Sequence, residues 1–501
     1  MTEHVDVLIV GAGLSGIGAA HHVQAAFPGK SYTILEARDA IGGTWDLFRY
    51  PGVRSDSDMH TLGYRFRPWT QARAIADGPA ILDYVRDTAA EAGIGRHIRF
   101  GHRVTRASWS SADARWTVHA TQGAGTTEIT CGFLLMCSGY YRYDEGYQPE
   151  FAGLGDFRGQ VVHPQRWPAD LDYAGRRVVV IGSGATAVTL VPALAATAGH
   201  VTMLQRSPSY ILTLPAEDPI ASRLSAMLGA RRAYPLTRWK NVLIAAAIFR
   251  LSRRRPQLVR SWIRTLSIRQ LPPGYDVDTH FNPAYNPWDQ RLCLVPDGDL
   301  FRAIRAGRAS VVTGRIDRFT PGGLRLESGE ELAADLVVTA TGLQLLAFGG
   351  AQLIVDGRAV SLPETMAYKG MMLSGVPNLA FTIGYTNASW TLKADLVSEF
   401  TCRLLGYLDS RGYDMCVPVS DDPGITQRPL LDFSAGYVLR SIDRFPRAGS
   451  RAPWRLGMSY AHDLLTLRYG RINDGVLRFS RRHGASAHDN GIAADSTRRV
   501  G

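Results

Sequence analysis

The chain has 501 residues, enough for about three domains of ordinary size. With 45% hydrophobic and 20% charged residues, its composition is that of a folded globular protein, which excludes disordered and fibrous classes. The net charge of +11 indicates nucleic acid, an anionic membrane surface or phosphate-bearing ligands as partners.

The five cysteines are odd in number and widely scattered, at positions 131, 137, 293, 402 and 416. This arrangement excludes a disulfide framework and the usual zinc spacings, so we expect a reduced, cytoplasmic protein without a metal site. The N-terminus enters an apolar strand at once and does not resemble a signal peptide. The longest apolar run, Val242 to Phe249, has eight residues, far fewer than the ~20 that span a bilayer.

The first predicted element is a strand over residues 5–10, which ends in the turn Gly11-x-Gly13-x-x-Gly16. The first glycine of such a turn permits a tight bend, the second lets the backbone approach a pyrophosphate, and the third lets helix and strand pack closely. The helix predicted over 17–26 would direct its N-terminal amides at the phosphates.

A second strand, predicted over 31–35, ends at Glu36, twenty residues after Gly16. A carboxylate at this position accepts hydrogen bonds from ribose hydroxyls. Strand, turn, helix and acid together predict a dinucleotide site.

The next segment, residues 40–70, is rich in glycine, aromatic residues and aspartate and has no helical period, so we predict a long functional loop. A helix is predicted over 79–92. Strands are predicted, the first three antiparallel, over 103–108, 115–120, 126–130 and 133–137.

A second strand–turn–helix–strand unit begins with a strand over 178–181 and the turn Gly182-x-Gly184-x-x-Ala187. A helix is predicted over 186–197 and a strand over 201–204. Arg206 follows that strand in place of an acid, and an arginine there accommodates the 2′-phosphate of NADP.

Two dinucleotide sites of different preference imply electron transfer between two nucleotides. FAD in the first site and NADPH in the second is the simplest assignment. We expect the first site to take FAD because it lies at the N-terminus and because the apolar segment 335–342 can return to the same sheet.

The segment from Pro219 to Tyr275 carries twelve Lys and Arg residues and no Asp or Glu, and its pattern is helical. Arg253, Arg254 and Arg255 follow the apolar run, and two tryptophans, Trp239 and Trp262, flank it. A basic helix of this kind can lie on an anionic membrane, which would place the protein at the inner face of the cell membrane. The alternative is a solvated, arginine-rich face. Nucleic-acid binding is not expected, because no recognition motif accompanies the charge.

Two further motifs narrow the reaction. One runs from Gly42-Gly43-Thr44-Trp45 through Tyr50-Pro51-Gly52 to Asp56, and the other is Phe157-x-Gly159-x-x-x-His163-x-x-x-Trp167-Pro168. They resemble the two fingerprints of the Baeyer–Villiger monooxygenases. In the related N- and S-oxygenating flavin enzymes the second fingerprint usually lacks the Trp-Pro ending.

Segments 286–300, 366–372 and 385–395 are similar to the mycobacterial ethionamide-activating subgroup of this family, and the likeness runs from residue 1 to about 480. The resemblance implies FAD, NADPH and O2, ketone-to-ester conversion through a C4a-peroxyflavin, and sulfoxidation of sulfides or thioamides. Two rival functions stay open: a physiological S- or N-oxygenating flavin monooxygenase, and a membrane-surface NADPH oxidase.

The resemblance places the catalytic cation on Arg291 and an orienting carboxylate on Asp56. A guanidinium suits an anionic adduct because it stays charged and offers a fixed fork of donors. Many relatives carry lysine just before this arginine, where Gln290 stands here, so NADP preference should rest more heavily on Arg206. His163 we interpret as structural, lying between the nucleotide units.

The predicted fold class is α/β, with two Rossmann-like dinucleotide-binding domains, each discontinuous, plus a helical insertion. The FAD domain takes residues 1–142 and 342–480, the NADP domain 143–212 and 288–341, and the basic insertion 213–287. Residues 481–501 are predicted to be a disordered tail. The candidate cofactor-binding residues are Gly11, Gly13, Ser15, Gly16, Glu36, Thr44, Trp45, Asp46, Leu47, Arg54, Ser55, Asp56, Val104, Gly182, Ser183, Gly184, Ala185, Thr186, Ala187, Arg206 and Ser207.

Overall fold

The computed structural model describes residues 2–290, 292–431 and 435–482. The candidate catalytic residue Arg291 and residues 483–501 of the predicted tail lie outside this part of the chain. Within it, two sheets with parallel cores and covering helices form the framework, as predicted.

The first sheet has nine strands, and the strand Glu3–Val10 is an interior one, third from one edge. This strand pairs in parallel with Tyr32–Leu35 on one side and Gly125–Met136 on the other. Its side chains alternate between two buried faces, with Ile9 in one core and Leu8 in the other. Burial on both faces explains why residues 7–10 of this strand are all apolar.

Helices Leu14–Ala26 and Trp390–Arg411 pack together on one face of this sheet. Arg103–Ser110 and Arg115–Gln122 join Gly125–Met136 in an antiparallel meander. The sequence predicted separate strands over 126–130 and 133–137, whereas one continuous strand covers both. Residues 129–131 and 133–136 of this strand all pair with Glu3–Val10, and only residue 132 is unpaired, so the strand is not divided.

The second sheet is parallel throughout and has five strands, in the spatial order Ala309–Thr313, His200–Gln205, Arg177–Ile181, Leu336–Thr339 and Gln160–Val162. The expectation that 335–342 returns to the first sheet is therefore wrong. The strand that returns there is Leu379–Phe381, which pairs with the end of Gly125–Met136. Both segments are short apolar runs, and such a run encodes burial but not its partner.

Two chain segments that cross between the sheets run side by side in opposite directions. The amide of Arg142 donates to the carbonyl of Gln344, and the amide of Tyr147 donates to the carbonyl of Gly342. The Thr341 hydroxyl also donates to the carbonyl of Tyr147, at 2.5 Å. The connection between the two nucleotide units is thus a hydrogen-bonded pair of segments rather than a single linker.

The basic segment forms three helices, Pro219–Leu228, Ala230–Arg254 and Pro256–Gln270. They are separated at Gly229, whose φ of +75° suits glycine, and at Pro256, which lacks an amide donor. Strands Tyr210–Leu214 and Leu292–Pro296 pair in parallel beneath them. No helix in the described ranges is long and apolar enough to cross a membrane.

A buried arginine fixes the insertion to the core. Arg238 on helix Ala230–Arg254 is 5% exposed, and its Nη1 donates to the carbonyls of His60 (2.9 Å) and Gly63 (2.7 Å). Its Nη2 lies 3.5 Å from Oδ2 of Asp395. Burial alone would raise the pKa of Asp395, but the hydrogen bond from His22 and the charge of Arg238 lower it.

The loop predicted over 40–70 contains two one-turn helices, Thr44–Leu47 and Met59–Leu62. The second begins because the Asp58 carboxylate accepts a hydrogen bond from the amide of Thr61.

The other elements are short or flank the sheets. The helices and helical turns are Gly78–Glu91, Ile94–His97, Leu154–Asp156, Pro164–Arg166, Ala185–Leu194, Val277–Phe281, Asp299–Arg305, Ala347–Gly350, Leu362–Glu364, Gly436–Leu439, Ile442–Arg444, Tyr460–Asp463 and Leu464–Tyr469. The strands are Ile98–Arg99, Ile316–Thr320, Gly323–Leu326, Glu331–Ala333, Gln352–Val355, Arg358–Ala359, Ala367–Tyr368, Met372–Leu373, Met415–Pro418, Gln427–Pro429, Arg447–Gly449 and Leu477–Ser480.

Candidate functional site

The first glycine turn tolerates no side chain at its first and third positions. Gly11 has a φ of +103°, and a Cβ there would lie 2.7 Å from the carbonyl oxygen of Cys137. A Cβ on Gly16 would lie 1.8 Å from the carbonyl oxygen of Gly11. Helix and strand therefore approach as closely as the sequence predicted, which leaves the turn's backbone exposed to a ligand at Gly13.

Glu36 faces this turn from the end of the neighbouring strand. Its Oε2 accepts a hydrogen bond from the amide of Ala12 at 2.6 Å, and its Oε1 accepts one from the amide of Arg38 at 2.9 Å. The side chain is 5% exposed, and this burial raises its pKa. A carboxylate held in this way has lone pairs left for ribose hydroxyls.

A cavity of about 1190 Å³ opens along this turn. Its wall includes the backbone of several glycines, where no Cβ separates a ligand from the main chain. The candidate residues that line it are Gly11, Gly13, Ser15, Glu36, Thr44, Trp45, Ser55, Asp56 and Val104. This wall, with an acid at the ribose position, fits a flavin dinucleotide.

Four other candidates of the first site are not part of the cavity wall. Gly16 sits behind the turn, and Leu47 follows Asp46 on the helix Thr44–Leu47. The buried Asp46 carboxylate instead lies 2.5 Å from Nη2 of Arg38 and 3.1 Å from Nη2 of Arg49. Arg54 pairs with Asp299. In the structure Asp46 and Arg54 hold the loop in place.

The opposite wall of the cavity comes from the helical insertion. Residues 239–250 of helix Ala230–Arg254 line it, together with Trp288, Leu292 and Leu294. Trp288 and Leu292 lie close in sequence to Arg291. Asp56, in the loop over residues 40–70, lines the same cavity. One cavity thus joins the first glycine turn, the candidate carboxylate and an apolar wall.

The second glycine turn lies apart from this cavity, at the end of strand Arg177–Ile181. A Cβ on Gly182 would lie 2.4 Å from the carbonyl oxygen of Ala340, whereas one on Gly184 would have no atom within 4 Å. The Ser183 hydroxyl donates to the carbonyl of Ser207 at 3.0 Å. Ala187 is fully buried, and Ala185 and Thr186 open the helix Ala185–Leu194. The open backbone at Gly184 fits a dinucleotide pyrophosphate.

Arg206 and Ser207 are exposed beside this turn, at the end of strand His200–Gln205. The guanidinium of Arg206 makes no ion pair with any described carboxylate. It is placed where an arginine meets a 2′-phosphate in such units.

The first fingerprint physically connects the two units. Gly52, with a φ of +75°, packs on helix Ala185–Leu194, where a Cβ would lie 2.7 Å from Cβ of Ala193. Tyr50 and Val53 belong to the apolar core of the second unit. The loop therefore runs from the Gly11 turn to the helix of the second site.

His163 in the second fingerprint begins a turn of helix, where its Nδ1 accepts a hydrogen bond from the amide of Gln165. Gln165 in turn donates to the carbonyls of Arg142 and Tyr143, both at 2.9 Å. Burial lowers the pKa of His163. These contacts support the structural interpretation of His163.

Sequence reasoning missed several residues around the cavity. Trp390 donates from Nε1 to the Ser15 hydroxyl at 2.7 Å, and the Tyr143 hydroxyl lies 3.1 Å from Oγ1 of Thr44. Tyr385 lines the cavity and donates to Asp463 at 2.8 Å. Tyr385 and Trp390 lie in the segment 385–395, whose resemblance to the family could have indicated a role for them. No sequence pattern pointed to Tyr143.

Comparison with protein families gives two matches. Residues 9–77 match an NAD(P)-binding Rossmann-like domain, and residues 74–244 match a flavin-binding monooxygenase-like family. The first match covers the Gly11 turn and the second covers the Gly182 turn.

The chain is 60% identical to the FAD-containing monooxygenase EthA of Mycobacterium tuberculosis over 483 residues, which cover 96% of this chain and 99% of that one. Among solved structures it is similar to an oxidized steroid monooxygenase bound to NADP, with a TM-score of 0.77, 21% identity, and coverage of 95% and 100% of the two chains. It is also similar to an open structure of cyclohexanone monooxygenase, with a TM-score of 0.72, 22% identity, and coverage of 84% and 91%. These structures share the fold.

Proposed function

The chain belongs to the family of FAD-containing monooxygenases, and we propose that it is an NADPH- and O2-dependent Baeyer–Villiger monooxygenase of apolar ketones. One oxygen atom of O2 enters between the carbonyl carbon and its neighbour to give an ester. The other leaves as water, and NADPH with a proton supplies two electrons. The observation that carries the proposal is the single cavity joining the Gly11 turn, Asp56 and the apolar insertion.

FAD is the cofactor that the glycine-lined wall would hold. Gly13 would admit the pyrophosphate to the backbone, and Glu36 would accept hydrogen bonds from the ribose. When bound and reduced by NADPH, FAD supplies the activated oxygen that is transferred. Trp45 and Thr44 line the cavity beside this wall and would exclude water from it.

NADPH would bind at the second turn, with its pyrophosphate at Gly184 and its 2′-phosphate at Arg206. The Ser183–Ser207 hydrogen bond fixes the turn against the strand end that carries Arg206. With Gln290 in place of a lysine, Arg206 would supply most of the preference over NADH.

Arg291 would stabilise the negative charge that develops on the carbonyl oxygen when oxygen adds to the carbonyl carbon. Asp56 would orient this guanidinium. This assignment rests on the fingerprint resemblance and on Asp56 lining the cavity.

Sulfoxidation of sulfides or thioamides is a second candidate activity. The apolar wall formed by residues 239–250 would accept such a substrate, and the resemblance of segments 286–300, 366–372 and 385–395 to the ethionamide-activating subgroup favours it. A sulfur atom is itself the nucleophile, so this reaction forms no carbonyl oxyanion and should depend less on Arg291.

We also propose the domain division expected from the sequence. The FAD domain comprises 1–142 and 342–480, the NADP domain 143–212 and 288–341, and the insertion 213–287. The strands of the first sheet, which come from 3–136 and 352–381, support this division. Those of the second sheet, from 160–205 and 309–339, support it as well.

The test uses purified, FAD-loaded protein with NADPH, a medium-chain methyl ketone and isotopically heavy O2. We expect an ester with one heavy oxygen, detected by mass spectrometry. Arg291→Ala should lower ketone oxidation by at least ~100-fold while part of the sulfoxidation survives, and Arg308→Ala, at an exposed arginine outside the cavity wall, should leave both unchanged. Peroxide without ester from a panel of ketones would overturn the Baeyer–Villiger assignment.

A further inference from the structure

The helical insertion exposes an unusual amount of apolar surface. Among the described residues, eleven of the fourteen most exposed large apolar side chains lie between 220 and 268. Met227 is 80% exposed, Leu243 61% and Leu258 58%. Soluble proteins seldom expose contiguous apolar patches unless these bind something.

These side chains form a stripe on helix Ala230–Arg254. Leu236, Trp239, Leu243 and Leu251 are exposed and share one face at helical spacing. The opposite face carries buried Tyr234, Thr237, Arg238 and Val242, which pack on the core. The helix is therefore amphipathic, and its apolar stripe faces away from the core while the Arg238 contacts anchor its other face. Leu236 and Leu251 lie outside the cavity wall, whereas Trp239 and Leu243 lie at the cavity.

Arginines border the stripe. The segment 219–275 contains no acidic residue. Several exposed arginines in it make no ion pair with any described carboxylate. Arg231, Arg232, Arg250 and Arg254 lie on the helix that carries the stripe, Arg255 follows it, and Arg223 and Arg269 lie on the two neighbouring helices. An outward apolar stripe with basic residues at both ends is complementary to an anionic lipid surface, in which the stripe enters the acyl boundary and the guanidinium groups meet phosphates.

The same stripe reaches the cavity. Trp239 and Leu243 of the stripe are 42% and 61% exposed, and the neighbouring Ile244 is 49% exposed. All three line the same cavity as the first glycine turn. An apolar molecule dissolved in lipid beneath this face would therefore meet the cavity wall directly.

We propose that the face of helix Ala230–Arg254 formed by Leu236, Trp239, Leu243 and Leu251 docks on an anionic phospholipid surface and delivers apolar substrates from the lipid into the cavity. Docking is independent of the reaction catalysed, whereas delivery rests on the proposed ketone oxygenation. Binding and turnover are therefore measured separately.

The binding test is co-sedimentation of the FAD-loaded protein with vesicles of phosphatidylglycerol and phosphatidylcholine, compared with phosphatidylcholine alone. We expect binding to the anionic vesicles only, reduced by high salt. Two double variants test the surface: Leu236→Glu/Leu251→Glu and Arg254→Glu/Arg255→Glu. Each should lower the partition coefficient onto anionic vesicles roughly tenfold or more. None of these four residues lines the cavity.

Matched controls place the same changes elsewhere. Leu439→Glu/Leu465→Glu alters two other exposed leucines, and Arg308→Glu/Arg358→Glu alters two other exposed arginines. Both control proteins should bind the vesicles as the unaltered protein does. Equal binding of the insertion variants and their controls would overturn the proposal. The proposal would also be overturned if the unaltered protein bound no vesicles and Leu236→Glu/Leu251→Glu formed a smaller assembly in lipid-free solution. The stripe would then join copies of the chain.

The delivery test compares a long-chain ketone dissolved in the vesicles with a short water-soluble ketone. Anionic vesicles should raise turnover of the long-chain ketone at least fivefold over neutral ones, and Leu236→Glu/Leu251→Glu should remove that gain without changing turnover of the soluble ketone. Vesicle binding without any gain would overturn delivery and leave docking supported. Failure to oxidise either ketone would count against the proposed function alone.

Discussion

At the scale of single residues, Glu36 shows how burial and function meet in one carboxylate. Its oxygens already accept the amides of Ala12 and Arg38 inside a buried site, and burial raises its pKa. The form that accepts hydrogen bonds from a ribose is the ionised one. Acidification therefore removes the binding form earlier than it would for an exposed glutamate.

We expect the dissociation constant for FAD to rise as the pH falls through this raised pKa. Glu36→Gln should weaken FAD binding by about tenfold at neutral pH and flatten its pH dependence. Fluorescence titration of the apoprotein with FAD measures both, and Glu128→Gln, at an exposed glutamate, serves as the control. An unchanged pH profile in Glu36→Gln would contradict this role.

Arg206 illustrates a residue whose position, rather than its contacts, suggests a role. It is exposed beside the Gly182 turn and makes no ion pair with a described carboxylate. Arg206→Gln should raise the KM for NADPH at least tenfold, by loss of a charge-assisted contact of about 1.5–3 kcal/mol, and leave the KM for NADH nearly unchanged. Steady-state kinetics with both coenzymes measures this, with Arg308→Gln as control; an equal effect on both coenzymes would refute the 2′-phosphate assignment.

Among the secondary-structure elements, the buried Arg238–Asp395 pair joins helix Ala230–Arg254 of the insertion to helix Trp390–Arg411 of the first core. Both side chains are about 5% exposed, and the arginine also satisfies backbone carbonyls of 60 and 63. Removing one member leaves an uncompensated buried charge and unpaired carbonyls.

Arg238→Met should therefore destabilise the attachment of helix Ala230–Arg254 by ~3 kcal/mol or more. Limited proteolysis within 219–275 and urea unfolding followed by tryptophan fluorescence would report it. Arg254→Met, at an exposed arginine of the same helix, should change stability by less than ~0.5 kcal/mol. Similar protease sensitivity in the two variants would show that Arg238 is not the anchor.

At the scale of the whole molecule, the fingerprint loop joins two separate nucleotide units. Gly52 lies against helix Ala185–Leu194 of the second unit, while Asp56 in the same loop lines the cavity of the first. A side chain at position 52 should push the loop away from helix Ala185–Leu194 and so change the relative position of the two units. The glycine-lined wall of the cavity should keep its structure.

We expect Gly52→Ala to keep its FAD but to slow flavin reduction by NADPH at least ~10-fold, because misplacing reacting groups by about 1 Å is costly. Anaerobic stopped-flow absorbance measures the rate. Gly93→Ala is the matched control, since Gly93 has a similar positive φ of +64° but a Cβ there would have no atom within 4 Å. Equal rates of flavin reduction in Gly52→Ala and Gly93→Ala would show that the contact between Gly52 and helix Ala185–Leu194 does not control flavin reduction.

The two nucleotide units could be predicted from the amino-acid sequence alone. The Gly11 and Gly182 turns, the acid at Glu36 and the arginine at 206 predicted two dinucleotide units, because tight turns and close backbone approach allow few residue types. Family membership and the fold of two Rossmann-like domains with a helical insertion are confirmed. The roles of Arg291, Asp56 and the other site residues stay predictions.

Which distant segments contact each other could be seen only in the folded molecule. The apolar runs 336–339 and 379–381 look alike in sequence, yet they belong to different sheets. The insertion contributes residues 239–250 to a cavity whose other wall starts at residue 10. The residues that form such contacts lie far apart in the chain. An apolar pattern indicates that a face is buried but not which segment covers it. For the same reason, the outward stripe of Leu236 and Leu243 could be recognised only once the inward face of their helix was known.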